Sequence, residues 1–156
     1  MFFKKKELEI LSPVSGELIS LKDVPDSNFR DGIMGKGLAI IPAENGIYAP
    51  VSGVVTSLFP TLHAIGITTK EGVELLIHVG INTVNLGGVC FEAKVDKGAG
   101  VKRGNLLITA DIRKIIREGY NIAIPIVICN ADEFKDTTYT ALGMVNKGDI
   151  IMKVKL

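Results

Sequence analysis

His63 and His78 are the only two imidazoles in the chain, and the stretch between them reads as one β-hairpin. Neutral imidazole is both a nucleophile and a proton carrier near pH 7, so two of them brought together make a chemical site. Thr61 stands two residues before His63 and offers a hydroxyl to the same neighbourhood. Gly80 stands two residues after His78 and leaves room for an incoming group. The motif itself contains no acidic or thiol partner. A catalytic zinc usually takes three protein ligands, so His63 and His78 would hold one only with a ligand from elsewhere or from a partner. G-x-S-x-G, Ser-His-Asp order, a P-loop, G-x-G-x-x-G and the kinase set are all missing, which argues against ATP as a phosphoryl donor. What remains is a histidine that itself accepts a group, with the second ring stabilising charge or relaying a proton.

The strands must bring these rings together. In Val73-Glu74-Leu75-Leu76-Ile77-His78-Val79-Gly80-Ile81 the alternation assigns Val73, Leu75, Ile77, Val79 and Ile81 to the core face. Glu74, Leu76, His78 and Gly80 then face outward. The preceding strand runs from His63 to Thr69. A two-residue loop, Lys70-Glu71, sets His63 directly opposite His78. A three-residue loop with Gly72 left-handed slips the pairing by one and sets His63 opposite Val79, facing the core, unless a further bulge corrects it. Both registers are open at the level of sequence.

With 156 residues the chain fits one domain with a real core. Lys plus Arg is 18 against 17 Asp plus Glu, a balance that gives no nucleic-acid footprint. Evenly spread glycines and prolines cut the chain into short Val- and Ile-rich pieces, as in an antiparallel sandwich or barrel. One short helix is expected after Asp111, with Ile112, Ile115 and Ile116 on one face and Gly119 as its stop. Asp23 to Asp31 reads as an irregular loop or helical turn. The chain also echoes itself: Pro13-Val14-Ser15-Gly16 matches Pro50-Val51-Ser52-Gly53, and Val101 to Leu107 matches Val145 to Ile151. The fold class is therefore all-β, an antiparallel β-sandwich or barrel with internal pseudo-symmetry and one or two short helices. Residues 1–11 are expected to be a short flexible tail and residues 12–156 the domain. The longest apolar run, Ile122 to Cys129, is too short to span a bilayer. Cys90 and Cys129 lack CxxC spacing and are expected to be buried free thiols in a reducing cytoplasm. Phe29, Ile33, Met34, Phe59 and Leu76 are apolar residues that one thin sandwich has no room to bury, and an exposed patch of them suggests a docking surface.

Val73 to Val84, with Thr61-Leu62-His63-Ala64, resembles the glucose-type IIA domain of the bacterial phosphoenolpyruvate-dependent sugar phosphotransferase system. So do Ser12 to Gly16, Asp23-Val24-Pro25-Asp26 and Ala49 to Gly53. The likeness covers residues 12–156. It implies a cytoplasmic phosphotransferase component in which His78 is phosphorylated through Nε2 and His63 helps hold the phosphoryl group. It makes Thr61 the nearby hydroxyl. The implied donor is phosphorylated HPr and the implied acceptor a cysteine on the IIB domain of a glucose-type sugar permease. Regulated metabolic enzymes or transporters are further implied partners. Phe29, Ile33, Met34 and Phe59 would lie in the apolar docking ring. No cofactor is obligatory, but a zinc ion on His63 and His78 plus a partner's carboxylate occurs in some relatives. Three positions depart from the pattern: Asn82 stands where relatives carry aspartate near the site, Leu76 replaces a phenylalanine of the ring, and Ser57 replaces a lysine. The physics of phosphoryl transfer adds an expectation: His78 gives its other ring proton to a backbone carbonyl, that of Gly80, which leaves Nε2 free.

Two other readings compete. A biotinyl- or lipoyl-type swinging-arm carrier is also a small two-fold β-sandwich, but it needs a lysine at a hairpin tip in Met-Lys-Met or Asp-Lys-Ala. Lys70 sits in Thr69-Lys70-Glu71. A β-sandwich zinc peptidase needs a further His or Asp ligand, and the chain has no third histidine. An initial Met and a full last strand point to a free-standing chain.

Overall fold

The computed structural model describes residues 6–156. The first strands are β1 (Glu7–Leu11), β2 (Gly16–Ser20), β3 (Lys36–Pro42), β4 (Gly46–Tyr48) and β5 (Gly53–Leu58). Next come β6 (Ala64–Thr68), β7 (Glu74–His78), β8 (Phe91–Ala93), β9 (Gly100–Val101) and β10 (Leu106–Ala110). β11 (Ile124–Ile128), β12 (Asp136–Tyr139), β13 (Gly143–Val145) and β14 (Ile150–Lys155) complete the set. Two short helices are α1 (Ser27–Arg30) and α2 (Ile112–Arg117). Every strand pairing is antiparallel. One eight-stranded sheet runs β13-β2-β3-β11-β7-β6-β5-β9, and two three-stranded sheets run β1-β14-β12 and β4-β10-β8. Among the described residues no helix is long and apolar enough to cross a membrane.

The sequence echoes are structural. β2 and β5, which carry the two Pro-Val-Ser-Gly copies, each lie second from an edge of the large sheet. Gly16 and Gly53 are there for the same reason: a Cβ would sit 2.1 Å from the Ile41 carbonyl oxygen in one case and 2.3 Å from that of Thr68 in the other. The Leu11 N–H donates to the Pro50 carbonyl and the Tyr48 N–H to the Pro13 carbonyl. Ser15 Oγ accepts from the Lys147 N–H at 2.8 Å, and Ser52 Oγ from the Arg103 N–H at 3.0 Å. Even a ladder irregularity is shared, between Ile10 and Leu11 against β14 and between Ile47 and Tyr48 against β10. The two halves are thus related by a two-fold arrangement that passes between β7 and β11.

Burial forms two layers. The main core holds Ile10, Leu18, Ile40, Ile65, Ile67, Leu75, Ile77, Leu107, Ile108, Ile124 and their neighbours. On the opposite face of the large sheet, Leu21, Val24 and Phe29 from the segment around α1 cover Ala39, Ala64, Leu76, Ile81 and Val127. This second layer corrects two expectations. Leu76 does not face solvent but is 7 % exposed, and Ile81 joins the outer cluster rather than the main core.

Other corrections follow from pairing. The expected tail over 1–11 stops earlier, because residues 7–11 form β1 against β14 with Leu8 and Ile10 buried; residues 1–5 lie outside the described residues. Asp111 caps α2 through the Lys114 N–H, and Gly119 follows at φ 95°. Ile112 and Ile115 are buried there, but Ile116 is exposed, since a six-residue helix lying on a sheet buries a narrow stripe. Cys129 is exposed and Cys90 half-buried; both are free thiols, not core residues.

Candidate functional site

Two turns place the histidines. Between β6 and β7 the Gly72 N–H donates to the Thr69 carbonyl and the Thr69 N–H to the Val73 carbonyl, with Gly72 at φ 88°. This is the three-residue loop, since a left-handed glycine adds one residue to one side of the ladder. It pairs His78 with Ala64, so the register that sets His63 directly opposite His78 is not the one adopted. Instead the His63 carbonyl accepts from the Val79 N–H at 2.6 Å.

Strict alternation would then point His63 toward the core with Ile65. It does not, because β6 begins only at Ala64. The link from β5 is a tight turn in which the Leu62 N–H donates to the Phe59 carbonyl, and Leu62 takes a left-handed φ of 58°. An apolar side chain at positive φ is strained. Here the strain lies beside the site and breaks the alternation. The two imidazoles meet with ring centroids 4.9 Å apart and planes at 77°. The β7–β11 ladder ends at the pair Ile77–Ile126, and the next β11 residue, Pro125, has no N–H to extend it.

Each ring has a fixed partner on Nδ1. His78 Nδ1 lies 2.6 Å from the Gly80 carbonyl oxygen. A carbonyl only accepts, so Nδ1 carries the proton and Nε2 bears the lone pair. His63 Nδ1 lies 2.5 Å from Thr61 Oγ1. A hydroxyl can donate or accept, so this contact allows His63 to keep its proton on Nε2. Phe29 stands 5.1 Å from the His78 ring and Phe59 stands 5.4 Å from that of His63. The order Phe29–His78–His63–Phe59 is a continuous row of rings. His63 is 4 % exposed, while His78 is partly open.

Electrostatics keep the pair neutral. Burial, and second the charge of His78, push the His63 pKa down to about 4. Burial also lowers that of His78, opposed by the hydrogen bond to Gly80 and by the carboxylate of Asp26. Asp26 itself caps α1 by accepting from the Asn28 N–H. At pH 7 both rings are therefore unprotonated bases, the form a nucleophile requires.

The rim is mixed. Ile33 is strongly exposed, and Met34 and Phe59 are partly so. Phe29 and Leu76, expected in the same exposed patch, are instead buried in the outer core layer, where Phe29 packs against the His78 ring. Asn82 is exposed at φ 61° and begins the 3-10 turn Thr83–Leu86; its side chain makes no capping bond. Ser57 is exposed and lines a cavity of about 370 Å³ with Thr56, Gly66, Glu74, Leu76 and Cys129. Sequence reading missed Asp26 as a neighbour of His78 and the exposed Val84 and Val89. The signal for Asp26 was its capping position before Ser27-Asn28; the two valines lie in a loop without period. Among the described residues no cluster of three or more His, Cys, Asp or Glu side chains could hold a metal.

Comparison with known proteins places the chain in a family. Residues 8–134 match the family described as phosphoenolpyruvate-dependent sugar phosphotransferase system, EIIA 1. The chain is 39 % identical over 155 residues to the PTS system glucose-specific EIIA component of Mycoplasma capricolum, covering 99 % of this chain and 100 % of that one. It is 38 % identical over 152 residues to the glucose-specific EIIA component of Borreliella burgdorferi, covering 97 % and 80 %. A beta-glucoside-specific EIIBCA component of Halalkalibacterium halodurans is 43 % identical over 146 residues; these are 94 % of this chain but 23 % of that protein. The chain thus spans about a quarter of the EIIBCA relative and most or all of the two EIIA relatives. The solved structure of glucose permease IIA from Mycoplasma capricolum superposes with a TM-score of 0.90 at 37 % identity, covering 98 % of this chain and 99 % of that one.

Proposed function

The chain belongs to the EIIA 1 family of the phosphoenolpyruvate-dependent sugar phosphotransferase system, and on that premise we propose that it carries a phosphoryl group on His78 Nε2. One observation carries the residue assignment: of two adjoining imidazoles, His78 alone has its Nδ1 proton pinned to a carbonyl and its other nitrogen free at the opening. Phosphorylated HPr is the donor. The Nε2 lone pair attacks phosphorus, the P–N bond to the donor histidine breaks, and the donor imidazole leaves with that electron pair. His78 keeps its Nδ1 proton on Gly80 throughout. In the second step a cysteine thiolate of a permease IIB domain attacks phosphorus, the P–Nε2 bond breaks, and His78 departs as neutral imidazole. Phosphoryl transfer asks for positioning and for stabilisation of spread negative charge. Thr61, by donating to His63 Nδ1, leaves the His63 Nε2–H to donate to a phosphoryl oxygen.

Both partners dock on an apolar rim to which we assign Ile33, Met34 and Phe59, all of them exposed and the last packed against His63. Regulated enzymes or transporters would meet the same rim. The cycle is cytoplasmic, in keeping with two unpaired thiols. Zinc fits only at a partner interface: with both Nδ1 atoms engaged, His63 and His78 offer one Nε2 each, and a third ligand has to come from outside. The test is incubation with phosphoenolpyruvate, the general phosphotransferase enzyme and HPr, followed by mapping of the labelled residue. His78→Gln abolishes acid-labile phosphate uptake. His63→Gln retains uptake and lowers onward transfer to IIB roughly a hundredfold. Label that survives in His78→Gln refutes the assignment.

A further inference from the structure

The Gly80 carbonyl that fixes the His78 tautomer lies between two anchored peptide units, one held through Thr83 and the other through Asn121. Gly80 has φ 83°. A Cβ there would lie 2.5 Å from Thr83 Cγ2 and 3.3 Å from the Asn121 carbonyl oxygen. Thr83 is completely buried, and its hydroxyl donates to the Val79 carbonyl at 2.6 Å. On the other side the Ile81 N–H donates to the Asn121 carbonyl at 2.9 Å.

The consequence follows from peptide geometry. The Gly80 C=O and the Ile81 N–H belong to one planar trans unit and point in opposite directions. Anchoring the N–H on Asn121 therefore aims the carbonyl at His78. The preceding unit, whose carbonyl is that of Val79, is anchored by the Thr83 hydroxyl, and the Thr83 methyl closes the space beside Gly80. Both soft dihedrals of Gly80 lie between two anchored planes. Without the hydroxyl, a glycine has the freedom to turn its carbonyl away.

We propose that Thr83 is a positioning residue for the phosphoryl carrier. Through Val79 and Gly80 it locks His78 in the tautomer that leaves Nε2 nucleophilic. This rests on the reading of His78 as the phosphoryl acceptor, and the test separates the two. Imidazole ¹⁵N NMR of the unphosphorylated protein at neutral pH reads the tautomer directly. Wild type and Thr83→Ser, which keeps the hydroxyl, are expected to show a protonated Nδ1 alone. Thr83→Val keeps the shape but loses the donor, and both tautomers are expected. Its rate of phosphoryl uptake from phospho-HPr falls in proportion to the Nδ1-protonated fraction, roughly twofold where the two tautomers are equally populated, with KM unchanged. Should Thr83→Val not fold, Thr83→Ala carries the same expectation with less crowding. An unchanged single tautomer in the folded variant overturns the proposal. Absence of phosphate on wild-type His78 would instead overturn the functional reading and leave the tautomer comparison standing.

Discussion

The large sheet is built twice, and only one copy carries the histidine pair. Following the register outward from the matched Gly16 and Gly53, the position of His78 in one half corresponds to Val127 in the other, that of His63 to Lys36, and that of Leu62 to Gly35. Val127 is wholly buried. Gly35 has φ 138°, and a Cβ there would lie 2.3 Å from the Ile128 carbonyl oxygen. In the histidine half Leu62 takes φ 58° and His63 after it turns its ring to His78; in the plain half the matching Gly35 lies against the Ile128 backbone and the next residue, Lys36, is exposed to solvent. One scaffold tolerates both outcomes because the glycine-seated β2 and β5 strands and the crossed hydrogen bonds at Pro13 and Pro50 lie away from these ends.

The sharpest way to break this comparison is Gly35→Ala. Positive φ and a backbone collision act together, so a loss of about 3 kcal/mol in urea-unfolding stability is expected. A loss below about 1 kcal/mol would mean that the plain half has as much slack as the reactive one.

A smaller effect distinguishes the halves by acid. His63 titrates at about 4 in the folded protein and near 6.5 unfolded. Between those values the unfolded chain binds the proton and the folded one does not. Stability is therefore full above pH 6.5 and falls as pH drops toward 4, with a slope of up to ~1.4 kcal/mol per pH unit for one such group. The plain half carries no histidine. Urea midpoints between pH 7 and 5 are expected to fall in wild type and to fall less steeply in His63→Gln. Parallel slopes would show that His63 is not the origin.

The smallest effect tests the likeness instead of the difference. Ser15→Ala and Ser52→Ala each remove one hydrogen bond to a turn N–H, and each is expected to cost about 0.5–1 kcal/mol. Clearly unequal losses in thermal or urea unfolding would mean that the two turns are not energetic equivalents.

Much of this architecture is legible in the amino-acid order. The long strands β3, β5, β6, β7, β10, β11 and β14 announce themselves by β-branched runs between glycines. The echoes announce the two-fold arrangement, and Asp111 announces α2. The closeness of the two histidines and the Gly80 acceptor are likewise expected before the structure and found in it. The register does not, because a two-residue and a three-residue loop fit Thr69 to Val73 equally until Gly72 declares its left-handed φ. The exit at Leu62 is unreadable because strain of that kind is imposed by surroundings. Phe29 and Leu76 read as exposed because nothing local reveals that the segment around α1 folds back over the outer face. The shortest strands, β4, β8, β9, β12 and β13, hold too few residues to show a period, and β1 reads as tail because glutamates alternate with its buried side chains.

Under the proposed function the clasp between His78 and Gly80 bears on the downhill leg as much as on the uphill one. A phosphorylated ring that cannot shed its Nδ1 proton stays positively charged and leaves readily, so the bond it forms remains easy to undo. The same contact would let traffic run either way between sugar and pyruvate, with the direction set by which reservoir is fuller.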